Sequence, residues 1–466
     1  MSIKNRNKTQ PEHSSEIIND GGITVVSKRI AGRFRNLKWL GMSVWGLFFF
    51  TPYLRWNDRQ AILFDIPNRQ FNLFDITLYP HDVWVLALIL LFFAILLALV
   101  TNIAGRVFCG YFCFQTVWTD IYTLIETTIE GDTAHKAARF KQSPWNISKT
   151  FKVGVKHSLW LAIALFTGLS FVAWFTDVYE LWHDYINFQA AMPAWIILAT
   201  FTLFTYVFSG FMREQVCFWL CPYARLQSVM YDKNTVLPVY DTKRGEPRSS
   251  LTKGNTGESA GSCIDCNICV AVCPTGIDIR DGQQEGCITC GLCIDACDSV
   301  MDKINQPRGL VRYASHNEIE EEKLTVSVYK RFRFIAYCLI IVASLYGIVS
   351  GLTGLSTSEF IVEHERQPVF TLLSDGTIQN KYTLKLLNKT RTAMQLSFLL
   401  KERDDLFLQT MQQRTVQAGE AIVVTAFVQS LTDTMQDSLT PITFMAQIGS
   451  TVDDVVSYES VFISPK

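Results

Sequence analysis

Net charge is almost wholly missing from this sequence. Its 42 Lys and Arg and 43 Asp and Glu cancel to −1 over 466 residues. No basic excess points to nucleic acid, which is excluded as an expected partner. Charge of either sign is also scarce, at 18% of residues against 49% hydrophobic. A soluble domain carries roughly 25% charged residues, so the balance fits a membrane protein with soluble parts and lipid as a partner. Cysteine is absent after Cys338, which removes any disulfide framework from the C-terminal portion. Cys338 itself reads as a buried small hydrophobe. A cleavable signal peptide is not expected, because the first apolar run starts late, behind a polar tail read as disordered. Histidine is sparse, and His81, His157 and His183 fall near the ends of apolar runs. They read as interfacial polar groups rather than haem ligands, and His364 stands alone.

What the chain does have is length in apolar runs. A spanning helix needs roughly 20 mostly apolar residues. Runs at about 38–55, 82–101, 157–177, 194–211 and 334–353 qualify, which predicts about five spans. Lys and Arg cluster before the first run (Lys28, Arg29, Arg33, Arg35, Lys38), after the second, and on both sides of the 212–333 segment; the loop after the third run has none. By the positive-inside rule the N-terminus and the 212–333 segment face the cytosol, and the tail after the last run faces outward.

The remaining cysteines are concentrated. Residues 263–297 read CIDCNICVAVCPTGIDIRDGQQEGCITCGLCIDAC. Both tetrads have the spacing C-x-x-C-x-x-C-x-x-x-C, the bacterial ferredoxin run in which the fourth Cys serves the other cluster. Cys263, Cys266, Cys269 and Cys297 are therefore assigned to one [4Fe–4S] cluster, and Cys287, Cys290, Cys293 and Cys273 to a second. Zinc would call for paired dyads instead, and disulfides do not suit the cytosolic side. Two adjacent clusters serve single-electron transfer. The last Cys of the second tetrad is followed by Asp298 where Pro is usual.

Two further pairs, Cys109/Cys113 and Cys217/Cys221, each follow an apolar run. Residues four apart share one helix face, so each pair is expected to offer two thiols to one soft ion, and two such helices would offer four. Arg106 and Arg213 stand nearby and are candidates either to favour thiolate or to serve as ordinary basic anchors. The C-x-x-x-C following the second and fourth runs hints at two related hairpins. After about Ser356 the pattern changes to short alternating runs such as EAIVVTAFVQS, separated by turns. About seven strands of an immunoglobulin-like sandwich are expected there.

The fold class read from these parts is a multi-domain membrane protein: an α-helical transmembrane bundle of about five spans, an inserted dicluster ferredoxin-like α+β module, and a C-terminal immunoglobulin-like β-sandwich. The expected boundaries are a cytosolic tail at 1–37, a four-span core at 38–232, a linker at 233–262, the two-cluster module at 263–305, a second cytosolic linker at 306–333, a fifth helix at 334–353, and the outer domain at 356–466.

GRVFCGYFCFQTVWTD (105–120), CFWLCPYAR (217–225), the two tetrads, a single later span and QNKYTLKLLNKT (379–390), in that order, resemble the FixG/CcoG family of cytochrome c oxidase accessory proteins. The resemblance implies two cytoplasmic [4Fe–4S] clusters, a periplasmic immunoglobulin-like domain, and residence in a bacterial inner membrane. It also implies reduction of Cu(II) to Cu(I) for assembly of cbb3-type oxidases, with Cys109, Cys113, Cys217 and Cys221 as the copper site. Expected partners are a cytosolic electron donor and copper-handling or oxidase-assembly proteins. Family members often have Pro after the second Cys of the first pair, as Cys221–Pro222 has in the second. Here Phe114 stands there, and without Pro the Cys109/Cys113 segment is expected to stay helical longer. A quinol-linked subunit of a respiratory reductase and a non-enzymatic scaffold or redox sensor are the alternative functions.

Overall fold

The computed structural model describes residues 27–131, 134–249, 261–319, 327–354, 358–374, 376–390, 393–401, 405–410, 414–431, 438–448 and 455–465. The polar tail before Ser27 and part of each expected linker lie outside the described residues. The chain forms two compact units, residues 1–349 and 350–466.

Four helices of the described residues are long and apolar enough to cross a membrane: Val83–Ala104, Ile147–Val172, Met192–Met212 and Phe332–Thr353. The first expected span is different. It forms two shorter helices, Arg33–Ser43 and Trp45–Phe50, joined through Val44, which is itself in right-handed helical conformation (φ −60°, ψ −29°). Neither spans alone, and the first begins among Arg33, Arg35 and Lys38, whose charges hold it at a polar boundary.

Five short strands follow that the alternation of the sequence does not reveal. Strands β1 (Arg55–Trp56) and β2 (Arg59–Gln60) pair, and β3 (Ile62–Asp65), β4 (Gln70–Leu73) and β5 (Ile76–Leu78) form a small antiparallel sheet. These strands are too short for a period-2 signal to stand out. Gln60, fully buried, donates to the Ala173 carbonyl at 2.8 Å and fastens β2 to the end of the Ile147–Val172 helix.

The segments read as linkers do more than connect. β6 (Leu237–Tyr240) and β7 (Val311–Ala314) pair antiparallel and bracket the cysteine module on both sides. The module docks on the helical core. The backbone N–H groups of Phe34 and Arg35 donate to Asp295 Oδ2 at 2.9 and 3.0 Å. A carboxylate from the module thus caps the positive end of the Arg33–Ser43 helix.

The second unit is a two-layer sandwich. Its strands are β8 (Ser358–His364), β9 (Thr371–Leu372), β10 (Thr377–Asn388), β11 (Met394–Leu400), β12 (Phe407–Gln409), β13 (Arg414–Val416), β14 (Ala421–Leu431), β15 (Leu439–Ile448) and β16 (Val455–Ile463). One sheet runs β12-β14-β10-β8 with β9 beside β10; the other runs β13-β11-β15-β16. Alternate residues of β10 are buried along its length, the pattern that a strand with one face on a core requires. Tyr382, Leu384, Phe444 and Phe462 fill the interior.

Candidate iron–sulfur cavities and membrane-edge thiols

The two tetrads fold as repeats of one backbone plan. Asp265 (φ 50°) and Asn267 (φ 56°) flank Cys266; Thr289 (φ 51°) and Gly291 (φ 71°) flank Cys290. Left-handed residues on either side of a ligand turn successive backbone N–H groups inward, the concave arrangement that suits anionic groups such as cluster sulfides.

Each half encloses a cavity. One is lined by Cys263, Cys266, Cys269 and Cys297. The other is lined by Cys273, Cys287, Cys290 and Cys293, together with Cys269. Three neighbours of one tetrad and the distant fourth of the other thus meet around each space. Among the described residues no three His, Cys, Asp or Glu side chains converge on a point fit for a single ion. A cubane places its thiolates at separate corners, whereas one zinc draws four to itself. The donor chemistry and the separate placement of the thiols fit the former. Burial pushes Cys269, Cys287 and Cys297 up to about 12, so loading a metal group here releases protons. Asp298 also finds its reason: Cys297 lies inside the Leu292–Lys303 helix, where proline would remove a helical hydrogen bond. Asp298 instead accepts from Gly309 N at 3.0 Å.

The membrane-edge pairs are related more closely than their sequences suggest. A left-handed residue ends the preceding helix in both: Gly105 (φ 61°, ψ −135°) and Arg213 (φ 49°, ψ −121°). A short helical turn follows, Val107–Tyr111 or Val216–Leu220. It closes with the same bond over five residues, Cys113 N to Phe108 O and Cys221 N to Val216 O, each 2.9 Å. Cys113 (φ −61°, ψ 129°) and Cys221 (φ −83°, ψ 107°) are then extended and start the next helix. Phe114 therefore does not prolong the first turn. The five-residue bond breaks the helix with or without proline. Each thiol pair consequently straddles a helix end instead of sharing one continuous helix face.

The four thiols lie near one another. Burial, then Cys113 and Cys217, raise the pKa of Cys109, with Arg106 opposing. Burial pushes Cys217 up to about 12, and Arg106 again opposes without prevailing. Cys109 accordingly acts as a thiol donor, to Gln227 Oε1 at 3.1 Å. Arg213 is engaged elsewhere, since its guanidinium pairs with buried Glu126 at 2.5 Å.

The first pair touches the module directly. Cys109 packs in one apolar cluster with Ile288, Cys290 and Leu292, and Tyr111 donates to the Cys290 carbonyl at 2.9 Å. Gly110 makes this approach possible, since a Cβ there would stand 2.6 Å from Ile288 O. Sequence spacing could not show these contacts. It also missed Asp120, on which Arg29, Arg35 and Lys38 converge at 3.0–3.6 Å. Burial would raise the Asp120 pKa, but Lys38, Arg35 and Arg29 together hold it below the usual carboxylate value. Of the histidines, His157 Nδ1 lies 2.9 Å from the Tyr206 hydroxyl, and His364 packs against Tyr382 in the sandwich.

Comparison with known proteins agrees with this layout. A family model described as a 4Fe-4S dicluster domain matches residues 212–316. One described as a 4Fe-4S binding domain matches 85–127, and one described as an IG-like fold at the C-terminal of FixG matches 348–465. Protein RdxB of Cereibacter sphaeroides is 42% identical over 398 residues, 82% of this chain and 83% of that one. Nitrogen fixation protein FixG of Rhizobium meliloti is 37% identical over 402 residues, 78% of this chain and 76% of that one. The chain belongs to the FixG family. Protein RdxA of Cereibacter sphaeroides, 41% identical over 377 residues (78% and 79%), is similar to the same extent. This FixG-family chain is thus a membrane-associated iron–sulfur protein of oxidoreductase type, with a dicluster ferredoxin domain and an immunoglobulin-like C-terminal domain.

Proposed function

We propose that the chain is a cupric reductase of a bacterial inner membrane, supplying Cu(I) for assembly of a cbb3-type oxidase. The observation that carries this reading is the packing of Cys109 against Cys290 and Ile288. It makes the membrane-edge thiols and the second cysteine cavity one continuous sulfur-rich region. Cys263, Cys266, Cys269 and Cys297 would hold one [4Fe–4S] cluster, and Cys273, Cys287, Cys290 and Cys293 the other. When bound and reduced, each cluster supplies one electron, the number that converts Cu(II) to Cu(I). Cys109, Cys113, Cys217 and Cys221 would receive the ion by closing on it, since no three of them converge on one point beforehand, and their soft sulfurs favour the Cu(I) product. Arg106 reduces, without overcoming, the cost that burial places on the thiolate form of Cys109 and Cys217. A low-potential one-electron donor in the cytosol supplies the clusters, the N-terminus and ferredoxin domain share that side, and the sandwich lies in the periplasm, where it meets copper-handling or oxidase-assembly proteins.

The test is an anaerobic titration of dithionite-reduced protein with Cu(II), followed by EPR and a Cu(I)-specific chelator. Cluster reoxidation should match Cu(I) formed. Serine at Cys109, Cys113, Cys217 and Cys221 together should leave the cluster signals and abolish copper reduction. Undiminished reduction in that variant overturns the assignment, and reoxidation by a quinone in place of copper would favour the quinol-linked alternative.

A further inference from the structure

Cys217 differs from the other three membrane-edge thiols in what it faces. It lines a cleft of about 420 Å3 together with Arg106, Phe218, Arg225 and Glu285. It also lines a second, much smaller space with Lys38 and Asp120. Cys109, Cys113 and Cys221 line neither. Whatever reaches the thiols from the surface through this cleft meets Cys217 first.

The charge of the cleft narrows what that is. Arg106 is 5% exposed. Its terminal nitrogens donate to the carbonyls of Glu285 and Ala224. Both acceptors are neutral, so they leave the guanidinium charge in place. Its Nε is buried without a partner. A buried cation that no carboxylate among the described residues pairs with favours an anion nearby. Arg225 adds a second positive charge at the wall, and Glu285 is the one carboxylate among the described residues that line it. The same Arg106 charge acts on Cys287 of the second cavity and on Cys109 and Cys217. An anion seated in the cleft would therefore lie near the charge that also acts on the second cavity. A hydrated dication would be repelled by the same two arginines.

We propose that this cleft is the port for the electron acceptor and that it takes copper as a small anionic chelate, with carboxylate or thiolate ligands, presented to Cys217. The metal's identity rests on the cupric reductase reading; the charge preference of the cleft does not.

The experiment uses full-length, cluster-loaded, copper-free protein in detergent under argon. Cys217 is labelled with an anionic sulfonatoethyl and a cationic trimethylammonioethyl methanethiosulfonate. Each rate is divided by that of 2-mercaptoethanol and resolved by mass spectrometry of the Cys217 peptide. The normalised rate should be several-fold higher for the anionic reagent. Arg225→Glu should reverse or abolish the preference and Glu285→Gln should enlarge it, both being surface changes outside the packed core. In parallel, cluster reoxidation by anionic Cu(II)-citrate is compared with that by a cationic Cu(II)-bipyridine complex, and the citrate complex should react faster. A normalised ratio near one that neither substitution moves overturns the port. A clear labelling preference with no reoxidation by either complex keeps the port and overturns the copper reading.

Discussion

The Cys109–Cys113 and Cys217–Cys221 segments share a backbone and differ in almost everything attached to it. Where the first has Gly105 in the left-handed conformation, the second holds Arg213 there. A non-glycine residue in that region carries strain of about 1–3 kcal/mol, and the Arg213 guanidinium is held there by Glu126. One residue after the first cysteine, Gly110 lets the chain lie against Ile288 and Cys290, while Phe218 fills the space over Gly286. The first segment is clamped to the module and buries its leading thiol; the second leaves its leading thiol facing a cleft. A repeated backbone has thus been given one anchoring copy and one open copy.

The largest expected effect tests the anchor. Asp120, on the helix that starts after Cys113, holds Arg29, Arg35 and Lys38, and its side chain is 7% exposed. Asp120→Ala leaves buried cations without their carboxylate and should cost about 3–5 kcal/mol, read as a loss of thermal midpoint in detergent. Its pH dependence has a definite sign. The folded carboxyl titrates below the ordinary value of about 3.9, so its contribution is complete above that value and is lost as pH falls through the folded pKa. Asp120→Asn should therefore flatten the acid limb of the stability profile and leave its alkaline limb alone.

Phe114→Pro comes next, and restores the sequence symmetry of the pairs. Cys113 is already extended, as a residue before proline must be. The change should cost about 2–3 kcal/mol, from the lost burial of the ring and its stack on Trp118 at 4.2 Å, and leave the Cys113 turn unchanged. A loss as large as that of Asp120→Ala would show that the two backbones are not equivalent.

Gly110→Ala follows. The new Cβ would stand 2.6 Å from Ile288 O, and overpacking of this kind costs about 1–3 kcal/mol. The module should loosen, read as faster hydrogen exchange in residues 287–293 than in the sandwich. Equal protection in the variant would mean that the anchoring contact is not the one described. Smallest of all, Pro222→Ala should lower stability by about 0.4–1 kcal/mol through the freer unfolded chain, with the Cys221 turn retained.

The cysteine tetrads were legible because their constraint is local: the ligands of each cavity are mostly set by spacings of three and four residues. The apolar runs and the alternation in β10 and β14 were legible for the same reason. Proline was a misleading guide at Phe114, because the helix there is broken by the bond from Cys113 N to Phe108 O. The run expected at 38–55 appears as two helices joined at Val44, whose backbone is itself helical, and the helical stretch starts earlier, at Arg33. What sequence could not display were meetings between distant residues: Cys109 with Cys290, Arg35 with Asp120, Asp295 with Phe34. The only local trace of the first is a glycine between two cysteines, which has many other uses.

The Asp295 cap bears on how the protein is made. The helix it serves begins at Arg33, and Phe34 precedes Asp295 by 261 residues. At ribosomal speeds of roughly 5–20 residues per second, the first helix waits on the order of tens of seconds for the carboxylate that finishes it. During that interval the spanning helices Val83–Ala104, Ile147–Val172 and Met192–Met212 are synthesised while the N-terminal segment still lacks its last partner. The Asp295 contact thus closes only once the cysteine module has been made: the earliest helix to emerge is among the last to be sealed.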